Sequence, residues 1–287
     1  MTISGFSFVR NGIKFDYPFL ESIQSILPLC DNFIVAVGKS DDDTLGKIQG
    51  LHSPKIKILE TTWNEDLRSG GTILAQQTNI ALQQLTGDWA FYLQADEVVH
   101  ENDLSVIHDA MHRYRENQTV EGLLFEFRHF FGSYGYIGSS RRWYRKEIRV
   151  FKTGLDAQSW GDAQGFRIRG RKLRVKQVDA TICHYGWVKP PRIQQLKQRT
   201  FHKFWHPDSW VEEHVSGESE FDYSNGGKLV PFQGSHPLVM RDRIQQENWR
   251  FQYDPSKLRQ PFKERLLDAL EEKTGYRLGE YKNYEIV

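Results

Sequence analysis

Cysteine is almost missing from this chain, with only Cys30 and Cys183 among 287 residues. Two thiols cannot build a disulfide framework and are too few for a cysteine-based zinc site, so a reducing, cytoplasmic setting is expected. Long apolar runs are missing as well. No stretch approaches the ~20 residues that a membrane-spanning helix needs, which leaves only peripheral contact with a bilayer. The first nine residues alternate into a strand and lack the basic and apolar regions of a signal peptide, so none is expected. Charge of one sign is also lacking. Lys and Arg number 38 against 37 Asp and Glu, and a net charge of +1 gives no global attraction to nucleic acid.

What is present is an ordinary globular composition, 39% hydrophobic and 26% charged, with no low-complexity segment and no internal repeat. The length suits one α/β domain with an appended subdomain. Aromatic residues are plentiful at 13%, and Trp143, Tyr144, Trp160, Trp187, Trp205 and Trp210 stand in polar company, where amphipathic rings suit sugar faces as well as a core. Basic residues cluster at Arg141, Arg142, Arg145 and Lys146 and again over 167–176. Such clusters meet an anionic ligand or membrane surface, or line solvated strand edges.

The pattern along the chain alternates between two periods. Residues 4–10, 33–37, 55–59 and 89–93 read as strands. Between them, Phe19, Leu20, Ile23, Ile26 and Leu27 recur at helical spacing after Pro18, and a second helix is expected over 72–85 before Gly87. Four such alternations predict right-handed βαβ units and a doubly wound, Rossmann-like, mostly parallel sheet with helices on both faces. A further helix is expected from about Asn102. Beyond it, 124–130, 148–151, 166–168, 173–178 and 181–185 read as antiparallel additions. The tail carries apolar stripes at Ile193, Leu196, Thr200, Phe201, Phe204 and Trp205, and at Phe262, Leu266, Ala269 and Leu270, separated by a Gly- and Ser-rich loop over 216–236.

Asp96 and Glu97 directly follow an apolar strand, and ligands of open α/β sheets bind in the crevice beyond the carboxyl ends of strands. Carboxylates there hold Mg²⁺ or Mn²⁺ together with substrate phosphates, or else cap the next helix. A Gly-rich phosphate loop is absent after the first strand, where Phe8-Val9-Arg10-Asn11-Gly12 has one glycine; this argues against a dinucleotide dehydrogenase or a nucleotidyltransferase.

The first hundred residues resemble the inverting family 2 glycosyltransferases of GT-A fold. The likeness lies in a strand ending in Val9-Arg10-Asn11, a strand ending in a Gly/Ser/Asp turn, Asn79 within the following helix, and Thr86-Gly87-Asp88-Trp89 leading into Gln94-Ala95-Asp96-Glu97. That family commonly has Asp-x-Asp-Glu in the last segment, and Gln94 here replaces the first Asp. The resemblance implies an enzyme that uses a nucleotide-diphosphate sugar donor and a divalent metal, with a carbohydrate or lipid-linked acceptor. It implies metal at Asp96, ribose at Gln94, and a base and ribose pocket at Val9, Arg10, Asn11, Asp41 and Asp43. Arg68 and Asn79 would be further nucleotide-side residues, and a late His, here His184 in Cys183-His184-Tyr185, would complete the metal shell or touch phosphate. Inversion needs a base for the acceptor's proton. Asp162 in Ser159-Trp160-Gly161-Asp162 is the choice, with Asp156 next, and Arg141, Arg142 and Arg145 would balance the leaving diphosphate. The catalytic domain is expected over 1–188, divided near 100 into nucleotide and acceptor halves, followed by a mainly helical extension over 189–287. The competing readings are a noncatalytic carbohydrate-binding or scaffold protein on the same fold, and a sugar nucleotidyltransferase.

Overall fold

The computed structural model describes residues 1–67, 69–215, 217–258 and 261–287. Its first hundred residues alternate as the hydrophobic periods require: β1 (Ile3–Val9), α1 (Phe19–Ile26), β2 (Asn32–Gly38), a short α2 (Thr44–Gln49), β3 (Ile56–Thr61), α3 (Thr72–Leu82) and β4 (Trp89–Tyr92). β1 pairs in parallel with both β2 and β4, and β2 pairs in parallel with β3, so the spatial order is β4-β1-β2-β3. These strands are apolar on both faces because both faces are covered. Phe33, Val35, Trp89 and Phe91 pack against Phe19, Ile23 and Ile26 of α1. On the other face Phe6, Ile34, Ala36 and Tyr92 pack with Ala81 of α3.

The chain continues through β5 (Glu97–Val99), α4 (Leu104–Tyr114), β6 (Gly122–Phe131), β7 (Ser133–Gly138), β8 (Lys146–Lys152), a separate β9–β10 hairpin (Ala157–Trp160, Gly165–Ile168) and the long β11 (Arg174–Trp187). β8 pairs antiparallel with β4 on one side and β6 on the other, which extends the parallel core into a mixed sheet. The segments 173–178 and 181–185 are one strand, β11, interrupted by a register shift between Gln177 and Thr181. β11 runs parallel to β6 and antiparallel to β5, where the sequence pattern predicts antiparallel additions throughout. β8 already runs antiparallel to β6, so a β11 that reverses direction relative to β8 lies parallel to β6.

The last hundred residues hold α5 (Pro191–His202), α6 (Asp208–His214), β12 (Leu229–Pro231), α7 (Arg241–Gln245), α8 (Phe262–Thr274) and β13 (Glu285–Ile286). Two of these strands return to the main sheet, β12 on β7 and β13 on β11, so the loop predicted over 216–236 contains part of the sheet. Two helical stripes face differently from expectation. On α5, Leu196 is 39% exposed while Gln194, Gln195 and Lys197 are buried, and Lys197 and Phe201 line the cleft beyond the strand ends. On α8, Phe262, Leu266 and Leu270 are exposed. Among the described residues no helix is long and apolar enough to cross a membrane.

Candidate active site

A cleft of about 760 Å³ opens beyond the carboxyl ends of the parallel strands. Val9, Arg10 and Asn11 come from the end of β1, Asp41 from the turn after β2, Trp63 and Glu65 from after β3, and Gln94 and Asp96 from after β4. Asp162 enters from the β9–β10 turn, His184 from β11, and Lys197 and Phe201 from α5.

The β1 side is a hydrogen-bonded rim. Asn11, at φ 55°, accepts the Asp41 N–H at its Oδ1 (2.7 Å) and donates its own N–H to Ser40 Oγ (2.9 Å). Lys14 pairs with Asp41 at 2.6 Å and holds its carboxyl below the ordinary value. Arg10 donates to Glu65 (2.8 Å) and lies 5.4 Å over the Trp63 ring. From Trp63 an aromatic wall continues, in which Trp63 meets Phe204 and Phe201 meets Trp205.

The two adjacent carboxylates part company. Glu97 is fully buried and accepts from Arg149 at 2.6 and 2.7 Å and from the Gln94 N–H at 3.0 Å. Asp96 faces the cleft, with Lys197 Nζ 3.4 Å and His184 Nε2 3.7 Å from its Oδ2. Burial pushes the Asp96 carboxyl up, but Lys197, His184 and Lys189 outweigh it and bring it to about 2. Lys197 also donates to the Gly186 carbonyl at 2.9 Å and lies 5.0 Å over Tyr17. Lys189 lies 4.5 Å over the same ring, fully buried. Burial lowers both amines, Lys189 well below its ordinary value, and the Asp96 carboxylate pulls each of them back up.

Gly186 keeps this corner open. A Cβ there would stand 2.6 Å from both Asp96 Oδ2 and His184 Nε2. Asp96 Oδ2 and His184 Nε2, 3.7 Å apart, are the two side-chain atoms that face each other across this corner. Behind it, His184 Nδ1 meets His129 Nδ1 at 3.0 Å, and His129 Nε2 meets the Tyr144 carbonyl at 2.8 Å. Burial lowers both imidazoles, His129 to about 3. Among the described residues no group of three or more His, Cys, Asp or Glu side chains is placed to hold a metal ion.

Asp162 sits between Gly161 (φ 63°) and Ala163 (φ 65°), and left-handed backbone at an alanine is a stored strain of the kind found at functional sites. The Ala163 carbonyl accepts from Gln94 Nε2 at 3.2 Å, tying this turn to the end of β4. Gly71, at φ 69°, packs so closely that a Cβ would come within 2.8 Å of Asp162 Cβ.

Other candidates lie outside the cleft. Asn79 exchanges hydrogen bonds with the Ser159 backbone (2.8 and 3.3 Å) and clamps β9 to α3. The Asp43 carbonyl accepts the Lys47 N–H at the start of α2. Asp156 is an exposed turn residue paired with Arg169 at 3.5 Å. Arg68 lies outside the described residues. Arg141 and Arg145 pair with Glu271 and Glu280, and Arg142 donates to the Asn225 carbonyl, so that cluster holds the C-terminal segment. Arg171 and Arg174 both pair with Glu121. Sequence reasoning did not find Lys197, Lys189 or His129. Only the polarity of the second face of α5 signalled Lys197, and such a face ordinarily reads as solvent-exposed.

No family model matches the chain, and no curated protein matches it. Among solved structures it is similar to S. aureus TarS 1-349, with 13% identity over 76% of this chain and 67% of that one and a TM-score of 0.41. The same protein in complex with UDP gives 14% identity, 76% and 68% coverage and a TM-score of 0.43. Its complex with UDP-GlcNAc gives 13%, 76%, 68% and 0.41. Likeness at this level assigns neither a residue nor a ligand to this chain.

Proposed function

We propose that this protein is a GT-A glycosyltransferase that moves a sugar, with inversion, from a nucleoside-diphosphate donor to a hydroxyl of a carbohydrate or lipid-linked acceptor. The observation that carries this reading is the convergence of Asp96, His184 and Lys197 in a large cleft at the strand ends, where a diphosphate would need both a cation and fixed positive charge. Val9, Arg10, Asn11 and Asp41 receive the base and ribose, and Gln94 donates or accepts at the ribose edge. Asn79 and Asp43 act indirectly, by holding β9 and α2.

A divalent cation at Asp96 and His184 would neutralise charge on the donor diphosphate. In the transfer, the acceptor oxygen bonds to the anomeric carbon from the face opposite the diphosphate. The bond from that carbon to the phosphate oxygen breaks, and its electron pair leaves with the nucleoside diphosphate. The acceptor's proton passes to the Asp162 carboxylate. Lys197, paired with Asp96 at the cleft wall, would offset the charge of the departing group.

Thermal shift and titration calorimetry with UDP, GDP, CDP and dTDP, each with Mn²⁺ or EDTA, test the reading, since a ligand held only by the native state raises its stability. UDP is the first to try, being the nucleotide in the TarS complex. One nucleotide should bind in a Mn²⁺-dependent way, and Asp96→Asn should remove that dependence while the protein stays folded. Binding of free sugar with no nucleotide would support the noncatalytic carbohydrate-binding alternative instead.

A further inference from the structure

The paired histidines behind Asp96 have a determinable proton arrangement. The Tyr144 carbonyl can only accept, so His129 Nε2, 2.8 Å away, carries a hydrogen. His129 is 2% exposed, and a neutral ring has one hydrogen, so its Nδ1 presents a lone pair. That lone pair lies 3.0 Å from His184 Nδ1, which must therefore be the donor. A His184 ring that binds a cation through Nε2 carries its hydrogen on Nδ1, which suits this arrangement, and its Nε2 faces Asp96 Oδ2 across the gap that Gly186 leaves open.

We infer that His129 is a positioning residue for the cation site, fixing the tautomer and orientation of His184 so that its Nε2 is presented beside Asp96. The inference rests on the proposed nucleotide-sugar reading, which requires a cation there. Strand register builds the pair: β11 and β6 run parallel with His184 opposite His129, and a slip of one residue would move His184 to the other face. The His129 ring is held in place by Trp143, stacked at 5.1 Å, and by the edge contact of Tyr144 at 4.4 Å. Metal-bound imidazoles usually donate their second nitrogen to a carboxylate, carbonyl or water. A neutral imidazole in that role orients His184 without adding negative charge beside a site that must accept a diphosphate.

The test compares Mn²⁺ affinity, read by electron paramagnetic resonance with each of the four nucleoside diphosphates, in wild type, His129→Phe and His129→Asn. Phe keeps a ring between Trp143 and Tyr144 but accepts no hydrogen bond, whereas Asn retains an acceptor oxygen. His129→Phe should weaken Mn²⁺ binding by roughly 10- to 100-fold, as for loss of an outer-shell partner. His129→Asn should recover most of it, and nucleotide affinity in EDTA should be the same in all three. Nitrogen-15 spectra of the wild type, which need no variant, should show His129 protonated at Nε2 and His184 at Nδ1. The reverse tautomers, or unchanged Mn²⁺ affinity in His129→Phe, overturn the inference. Nucleotide binding that ignores Mn²⁺ overturns it but spares the glycosyltransferase reading, whereas no binding of any nucleotide overturns both.

Discussion

Glu97→Gln is the sharpest test of the division between the two neighbouring carboxylates. The side chain keeps its shape, but Arg149 is left as an uncompensated charge: both members of the pair are fully buried, and Glu97 accepts from it at 2.6 and 2.7 Å. Arg149 otherwise meets the rings of Tyr92 and Phe127 (5.3 and 4.9 Å), donates to the Ile148 and Gln164 carbonyls, and feels the buried Glu147 carboxyl, which burial raises to about 7 and which makes no ion-pair contact with it. Removing one partner of a buried ion pair costs about 3 to 5 kcal/mol. At about 2 °C per kcal/mol for a chain of this size, the melting temperature should fall by roughly 6 to 10 °C. Scanning calorimetry measures it. The double variant Glu97→Leu/Arg149→Met should melt well above Glu97→Gln, because it removes the stranded charge together with its partner. A Glu97→Gln protein that melts with the wild type would refute the assignment of Glu97 to the fold. It would reopen the possibility that Glu97, and not Asp96, serves the ligand.

Three further outcomes are expected. Asp162→Asn should leave donor binding nearly unchanged and lower turnover by roughly 10² or more, measured by nucleoside diphosphate release; equal turnover would move the base elsewhere. Gly186→Ala, whose Cβ would stand 2.6 Å from both Asp96 Oδ2 and His184 Nε2, should abolish Mn²⁺-dependent nucleotide binding in calorimetry, and full affinity in that variant would contradict the cation site. Burial depresses the folded-state value of His129 to about 3, below the 6.5 of an exposed histidine, so its stability contribution is present above pH 6.5 and is lost as pH falls toward 3. Over that window the unfolded chain binds more protons at this site, so His129 adds at most about 1.4 kcal/mol per pH unit to the slope seen in urea unfolding, and His129→Asn should lose that contribution.

Much of the architecture is legible in the chain. The runs at Phe33, Ile34, Val35, Ala36 and Val37 and at Trp89, Ala90, Phe91 and Tyr92 have the length and apolar continuity of strands covered on both faces, and both are such strands. The position of Asp96 at a strand end likewise puts it in the cleft, since side-chain period and strand direction are local properties. Tertiary structure alone decided the rest. Asp96 and Glu97 are adjacent carboxylates, yet the turn between β4 and β5 directs Asp96 to the cleft, while Glu97, the first residue of β5, reaches Arg149, 52 residues away. Which strand β11 joins, and in which register, is set by pairing with β6, and that pairing puts His184 beside His129. Lys197 reads as a solvated helix residue because burial of an ammonium group is unfavourable wherever no carboxylate awaits it. Here Asp96, 101 residues earlier, supplies one, and a charge pair between distant segments leaves no periodic trace in either of them.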